Sequence, residues 1–236
     1  VKAFPDYPFL KYKIIPAMLT NQSNYFLKAR QMLMSWLCAA LATWDTNCFL
    51  GRVDGFISRG ETESQLLKYK AQFIYDHLPD WMRASLAYAN KSEMFFEKNN
   101  SRIISQPASQ DAGSSFTFYR LFLDEFAKME YAEDIYSAGA AALGNAGFLN
   151  IVTSCKHKYT TGRTAYRLWK EPNQLNKVEL LWSEHPHRDE EWKKTFIEKR
   201  GWSQKQWQEE FELCWETEEG DSVYPNFNRK VSVKEI

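Results

Sequence analysis

Short apolar runs of strand length recur along the 236-residue chain and alternate with stretches of helical period, and this alternation narrows the fold more than any other feature. The runs "NYFLKA" (24–29), "RVDGFIS" (52–58), "SRIISQP" (101–107), "YRLFLDE" (119–125), "GFLNIVTS" (147–154) and "KVELLWS" (177–183) predict strands. Between them, "LMSWLCAALATW" (33–44) is apolar almost all round and predicts a buried helix. The segment "ETESQLLKYKAQFIYDHL" (61–78) places Leu66, Leu67, Phe73, Ile74 and Leu78 roughly on one face and is stopped by Pro79. Further helices are predicted at "AEDIYSAGAAAL" (132–143), "DEEWKKTFIEK" (189–199) and "SQKQWQEEFELCW" (203–215), the last two opened by caps at Arg188-Asp189 and Ser203. Strands that read as continuous apolar runs and alternate with helices predict an α/β fold, a mostly parallel central sheet flanked by helices. The expected organisation is a core over residues 1–175, a small mixed α/β subdomain over 176–220, and an exit segment over 221–236. The acidic "ETEEGDSVYPNFNR" (216–229), with Gly220 and Pro225, marks that exit.

Composition excludes several classes. Apolar residues at 44% and charged residues at 25% are those of a folded globular chain, large enough to bury a sizeable core. No apolar run has the length needed to cross a bilayer, and Val1-Lys2-Ala3 carries neither an initiator Met nor a signal pattern, so no membrane partner and a trimmed start are expected. Thirty basic residues balance thirty acidic ones, and the overall field favours no polyanion. Residues 177–236 hold 10 basic and 14 acidic side chains, a local net charge of −4 that leaves +4 on the first 176, where a polyanion would be favoured. Cys38, Cys48, Cys155 and Cys214 are widely spaced with no C-x-x-C, which suggests neither a zinc site nor a disulfide framework and fits a reducing compartment.

The chemistry concentrates at three strand ends. The first is "FLKARQMLMSW" (26–36), which enters a helix as a phosphate loop does. The G-x-x-x-x-G-K-[ST] pattern falls on Lys28, Ala29, Arg30, Gln31, Met32, Leu33, Met34 and Ser35, with Ser35 in the Mg²⁺-binding place. Leu33 stands at the second glycine and Met34 at the lysine, so the charge would have to come from Lys28, which a wrapped loop brings back toward the phosphates, and Arg30. Alone, the segment also fits a strand and helix with incidental cations at their junction. The second is "YRLFLDEFAK" (119–128), an apolar strand ending in Asp124-Glu125, the form of a Walker B segment: one carboxylate for Mg²⁺, one for the attacking water. Alone, it also fits a helix start. The third is Thr153-Ser154, a hydroxyl pair placed to sense the γ-phosphate, in a combination that is common by itself. Together and in order, each at a strand end, they place a nucleotide at the edge where open α/β sheets bind ligands. In "SEHPHRD", His185 and His187, like the more distant His157, lack a second ligand cluster and read as turn residues. Trp182, Trp192, Trp202, Trp207 and Trp215 read as packing residues ahead of base-stacking ones.

With these residues the chain resembles the ATPase domain of the large terminase subunit, the DNA-packaging motor of tailed bacteriophages. The resemblance rests on "LKARQMLMSW", "LFLDEFA", "IVTS", "FISRGETESQLL" and "HPHRDEEW…WQEEFE", and covers nearly the whole chain. It implies a P-loop fold and Mg²⁺-dependent ATP hydrolysis driving double-stranded DNA into a capsid. Glu125, Arg30 and Lys28 would be catalytic, residues 28–35 would bind ATP, Ser35 and Asp124 would hold Mg²⁺, and Thr153 and Ser154 would couple hydrolysis to movement. Implied partners are double-stranded DNA, a portal protein, a small terminase subunit and further copies in a ring, with a monomer in isolation; the implied location is the host cytoplasm. "DAGSSFT" (111–117) lacks the arginine that relatives often carry there, and a second arginine expected from a neighbouring subunit is not placed. The nuclease domain of relatives is expected to be absent, since no acidic cluster follows the exit segment before Ile236. The alternatives are a helicase-like P-loop translocase, distinguished by single-strand preference, and a scaffold that binds nucleotide without turnover.

Overall fold

Alternate residues of the central strands point to opposite faces, and both faces are dry. Tyr25 and Leu27 enter one apolar cluster while Phe26 between them enters the other. The computed structural model describes residues 4–20 and 22–216; the expected exit segment at 221–236 lies outside them. The strands are β1 (Asn24–Lys28), β2 (Val53–Ser58), β3 (Leu86–Ala89), β4 (Glu93–Phe96), β5 (Ser101–Pro107), β6 (Phe118–Asp124), β7 (Leu143–Thr153) and β8 (Asn176–Leu180). They form one eight-stranded sheet in the order β3-β4-β5-β2-β6-β7-β1-β8. From β5 to β8 all neighbours are parallel, and β3 and β4 add an antiparallel edge beyond β5. The expected mostly parallel α/β sheet is therefore present.

The helices are α1 (Ile15–Leu19), α2 (Met34–Cys48), α3 (Glu61–Asp76), α4 (Ala132–Ala142), α5 (Arg163–Lys170), α6 (Glu190–Arg200) and α7 (Gln204–Glu210). On one face, Phe26, Phe56, Phe122 and Val152 pack with Leu37, Cys38 and Leu41 of α2, Leu67 and Ala71 of α3, and Trp182, Trp207 and Phe211. On the other, Leu121, Leu123 and Ile151 pack with Ile135 of α4, Ala165 and Leu168 of α5, and Trp215. Burying an aromatic or aliphatic side chain of this size contributes about 1.5–3 kcal/mol, so these two layers supply the main driving force.

Several elements differ from the sequence expectation. The hairpin β3–β4 was not foreseen because its strands are four residues each and β3 is largely exposed; Asn90, whose Oδ1 accepts from the Ser92 and Glu93 amides at 2.9 and 2.8 Å, makes the turn. Likewise α1 and α5 are short, and α7 ends at Glu210, before the expected 215. The strand expected at 177–183 stops at Leu180 and gives way to a 3-10 turn, Trp182–Glu184. Residues from 176 onward begin with a strand of the central sheet, and Trp182 and Trp207 join the same apolar cluster as Phe26. Trp192, Phe196, Trp202, Trp207 and Phe211 form a chain of ring contacts, with Trp207 stacked on Phe211 at 4.5 Å.

Where β2 and β6 begin, far from their carboxyl ends, lies a buried ionic group. Asp45, at the end of α2, accepts from Arg120 Nε at 2.7 Å and is paired with Arg52. Asp54 is fully buried beside it, its carboxyl against that of Asp45. Burial, and then the negative charge of Asp45, push the Asp54 carboxyl well above the usual range.

Candidate active site at the carboxyl edge of the sheet

The register brings the three predicted segments to one edge. Lys28 pairs with Leu180, Leu27 with Thr153, Asp124 with Val152 and Ser58 with Asp124, so the strands carrying the loop, the carboxylates and the hydroxyl pair end together. The chain leaves β1 for β2, across β7 and β6, and later adds β8 on the far side of β1. That reversal opens a crevice at the end of β1.

Residues 29–33 are pinned from three sides. The Ala29 amide donates to the Leu180 carbonyl at 2.8 Å and the Arg30 amide to the Glu210 carbonyl at 2.9 Å. Arg188 donates to the Arg30 and Gln31 carbonyls at 2.9 and 3.3 Å and lies 3.7 Å from the Met32 sulfur. Gln31 and Leu33 both have φ near 59°, a left-handed conformation costing a non-glycine residue on the order of 1–3 kcal/mol. Leu33, which occupies the glycine place, thus adopts a backbone conformation that glycine would reach without strain. The loop delivers the chain into α2, whose first amides have no acceptor within the helix and whose positive end lies at the pocket.

The pocket has a volume of about 230 Å³ and is lined by residues 31–36, Lys28 and, from α3, Lys70. Met34 contributes to its wall yet is only 2% exposed and packs into the core. Both lysines are half-buried, and neither is held by a hydrogen bond or an ion pair among the described residues. Burial pulls the Lys70 ammonium below its ordinary range; Asp124 and Cys38 oppose that and Lys28 adds to it. Ser35 donates to Asp124 Oδ2 at 3.3 Å. Burial raises the Asp124 carboxyl, Glu125 adding to the effect while Lys28, Lys70 and the Ser35 hydroxyl counter it.

Glu125 follows with φ 57°, a third left-handed non-glycine residue at this edge. Its carboxylate lies 3.3 Å from Arg59 Nε and 3.8 Å from Lys128 Nζ. Lys128 also pairs with Glu210 at 2.8 Å. Glu210 accepts from Ser154 at 2.9 Å and lies 4.0 Å from the Arg30 guanidinium. Burial alone would raise Glu210; Lys128, Arg30 and Ser154 outweigh it and hold the carboxyl below its ordinary value. Thr153 is buried, accepting from the Ala127 amide at 3.0 Å and donating to the Ser154 carbonyl. The hydroxyl pair therefore joins the turn after Glu125 to α7.

Lys28 and Ser35 line the pocket and Asp124 meets Ser35, whereas the Glu125 carboxylate turns to Arg59 and Lys128; Arg30 stays exposed at the rim, its side chain toward Glu210. Sequence reasoning missed Arg59, Lys70, Lys128, Arg188 and Glu210. For Lys70 a signal existed, since it stands one turn from buried Leu67 on a helix already predicted. Among the described residues no cluster of three or more His, Cys, Asp or Glu side chains gathers as a metal set. A hydroxyl and a carboxylate in contact are hard oxygen donors, however, and suit Mg²⁺, which takes one or two protein ligands and completes its shell with water and phosphate. His185 and His187 pack edge-on against Tyr7, with ring centroids at 4.8 and 5.8 Å.

No family model and no curated protein sequence matches the chain. Solved structures do. The large terminase of bacteriophage HK97 superposes with a TM-score of 0.69 at 12% identity, over 90% of this chain and 51% of that one. The large terminase ATPase domain of Thermus phage P74-26 gives 0.61 at 12% identity, over 84% of this chain and 90% of that one. The large terminase of the thermophilic bacteriophage D6E in complex with ADP gives 0.62 at 12% identity, over 82% and 48%. That terminase is also known in complex with ATP-gamma-S. The chain spans about half the length of the HK97 and D6E proteins. Its fold is the one that these terminases share.

Proposed function

We propose that this chain is an ATPase unit of a phage DNA-packaging motor, hydrolysing ATP to drive double-stranded DNA into a capsid. The observation that carries the reading is the meeting of a strained, helix-capping loop with Asp124 and Glu125 at the carboxyl edge of a terminase-like sheet. In this reading the amides that open α2, with Lys28 and Arg30, receive the polyphosphate. Ser35 and Asp124 would hold Mg²⁺, which when bound would supply charge neutralisation at the phosphates. Glu125 orients the attacking water and accepts its proton as the bond between the γ-phosphorus and the bridging oxygen breaks. Arg59 and Lys128 fix that carboxylate in direction. Through Lys128, Thr153 and Ser154, a change around Glu125 reaches Glu210 and α7, the route by which hydrolysis would move the later residues against the sheet. The partners in this reading are duplex DNA, a portal protein, a small terminase subunit and further copies in a ring, in the host cytoplasm; isolated, the chain would be a monomer. Among the described residues no helix is long and apolar enough to cross a membrane.

Replacing Lys28 by Ala tests the loop. The expected result is a loss of ATP turnover of about a hundredfold, the scale of one lost charge-stabilising contact in a desolvated site. Parent-like hydrolysis in Lys28→Ala would remove the loop's central residue from the reading. A second reading, nucleotide binding without turnover, draws on buried Met34 at the lysine position; it predicts ATP binding with no phosphate release.

A further inference from the structure

We propose that Lys70 of α3 is a polyphosphate-contacting residue, a cation delivered from outside the loop to the pocket whose own lysine position is occupied by Met34. The inference rests on the ATPase reading above and adds a residue that neither the loop pattern nor the fold assigns. Three observations carry it. Lys70 lines the same pocket as Lys28 and residues 31–36, although it lies some forty positions away in the chain. Its ammonium is half-buried and held by no hydrogen bond or ion pair among the described residues; it lies over the ring of Trp36, 5.8 Å to the centroid, in the first turn of α2 and also lining the pocket. Two like charges, Lys28 and Lys70, then share one partly desolvated pocket with a single carboxylate, Asp124, near both.

That arrangement is unfavourable for Lys70 by itself, because partial burial penalises its ammonium and the like charge of Lys28 adds to it. A multiply charged anion reverses both effects by pairing with the two cations at once. The pocket is bounded on its third side by the positive end of α2, so the charged features of its lining favour an anion, with the Asp124 carboxylate behind Ser35 the opposing charge nearby. The buried Met34 side chain leaves that wall without the usual loop charge, and α3 packs against α2 closely enough for Lys70 to supply it. Helix α3 also starts just after Arg59, which grips Glu125, so one element addresses both the phosphates and the water-activating carboxylate.

The experiment is equilibrium binding of ATP, AMP and inorganic tripolyphosphate to the parent chain, Lys70→Gln and Lys70→Arg. Lys70→Gln should weaken ATP and tripolyphosphate roughly ten- to a hundredfold, the range for a lost hydrogen bond to a charged group, and AMP by less than about twofold. Lys70→Arg should recover part of the loss. A merely structural role would weaken all three ligands alike and would overturn the proposal, as would parent-like ATP affinity in Lys70→Gln. Amine-selective acylation of the parent chain followed by mass spectrometry gives a readout independent of any variant: tripolyphosphate should protect Lys70 several-fold, and adenosine should not. Equal labelling with and without tripolyphosphate, where that ligand binds, would overturn the Lys70 assignment and leave the ATPase reading standing. A parent chain that binds neither ATP nor tripolyphosphate would overturn the ATPase reading, and the Lys70 assignment with it.

Discussion

At the scale of single residues, Met34 and Asp54 separate packing from charge. Met34 is a wall residue of the pocket with its bulk in the core, so Met34→Ala should lower stability by about 2–5 kcal/mol in a urea titration. ATP affinity in the same variant should change little, since no charge is removed. Burial, and then the negative charge of Asp45, raise the Asp54 carboxyl well above its usual range. Its folded pKa lies above the unfolded value of about 3.9, so the native state binds a proton that the unfolded chain releases, and this group's contribution falls as pH rises from there through the folded value. Asp54→Asn should flatten that slope, and the variant should gain on the parent as the buffer is made more alkaline; parallel pH profiles would contradict it. Lys28, Ser35, Asp124 and Glu125 were legible from the sequence because each stands within a contiguous pattern at the end of a predicted strand. Arg188 and Lys70 were not, because they reach the loop from remote elements, and only the folded sheet makes them neighbours.

Among the elements, α7 is the one whose attachment to the candidate site bears on the proposed coupling. The Glu210 carboxylate at its end pairs with Lys128, accepts from Ser154 and lies 4.0 Å from the Arg30 guanidinium, while the Glu210 backbone carbonyl accepts from the Arg30 amide, so one residue is the meeting point of three segments of the edge. Removing its charge leaves Lys128 without that partner, and Glu210→Gln should cost about 1–3 kcal/mol, the range for a charge-assisted bond lost in a partly buried place. Amide exchange should quicken first in α7 and residues 29–33, with β6 and β7 unaffected; uniform quickening would contradict the local staple. Because Glu210 is held below its ordinary pKa, its contribution is complete above the unfolded value of about 4.3 and is lost as pH falls through the folded value. Elements such as α2, α3 and β5 were readable from the sequence because α2 is a largely apolar run of helix length, β5 a short apolar run of strand length, and α3 repeats one apolar face. The β3–β4 hairpin was not, because strands of four residues with an exposed edge show no usable alternation.

For the whole molecule, the strand types were legible and the strand order was not. Continuous apolar runs imply a parallel sheet with both faces covered, but nothing in their pattern says that β7 lies between β1 and β6 or that β8 closes the far side of β1. That order creates the crevice and sets Asp124 within reach of Ser35. The measurement that tests the central claim most directly is the initial rate of phosphate release from ATP and Mg²⁺, with linear duplex DNA present, by the parent chain and by Glu125→Gln. Turnover by the parent, with a fall of about 10²–10⁴-fold in the variant at unchanged ATP affinity, is the predicted result. Equal release from both proteins, or binding without release by the parent, would contradict it.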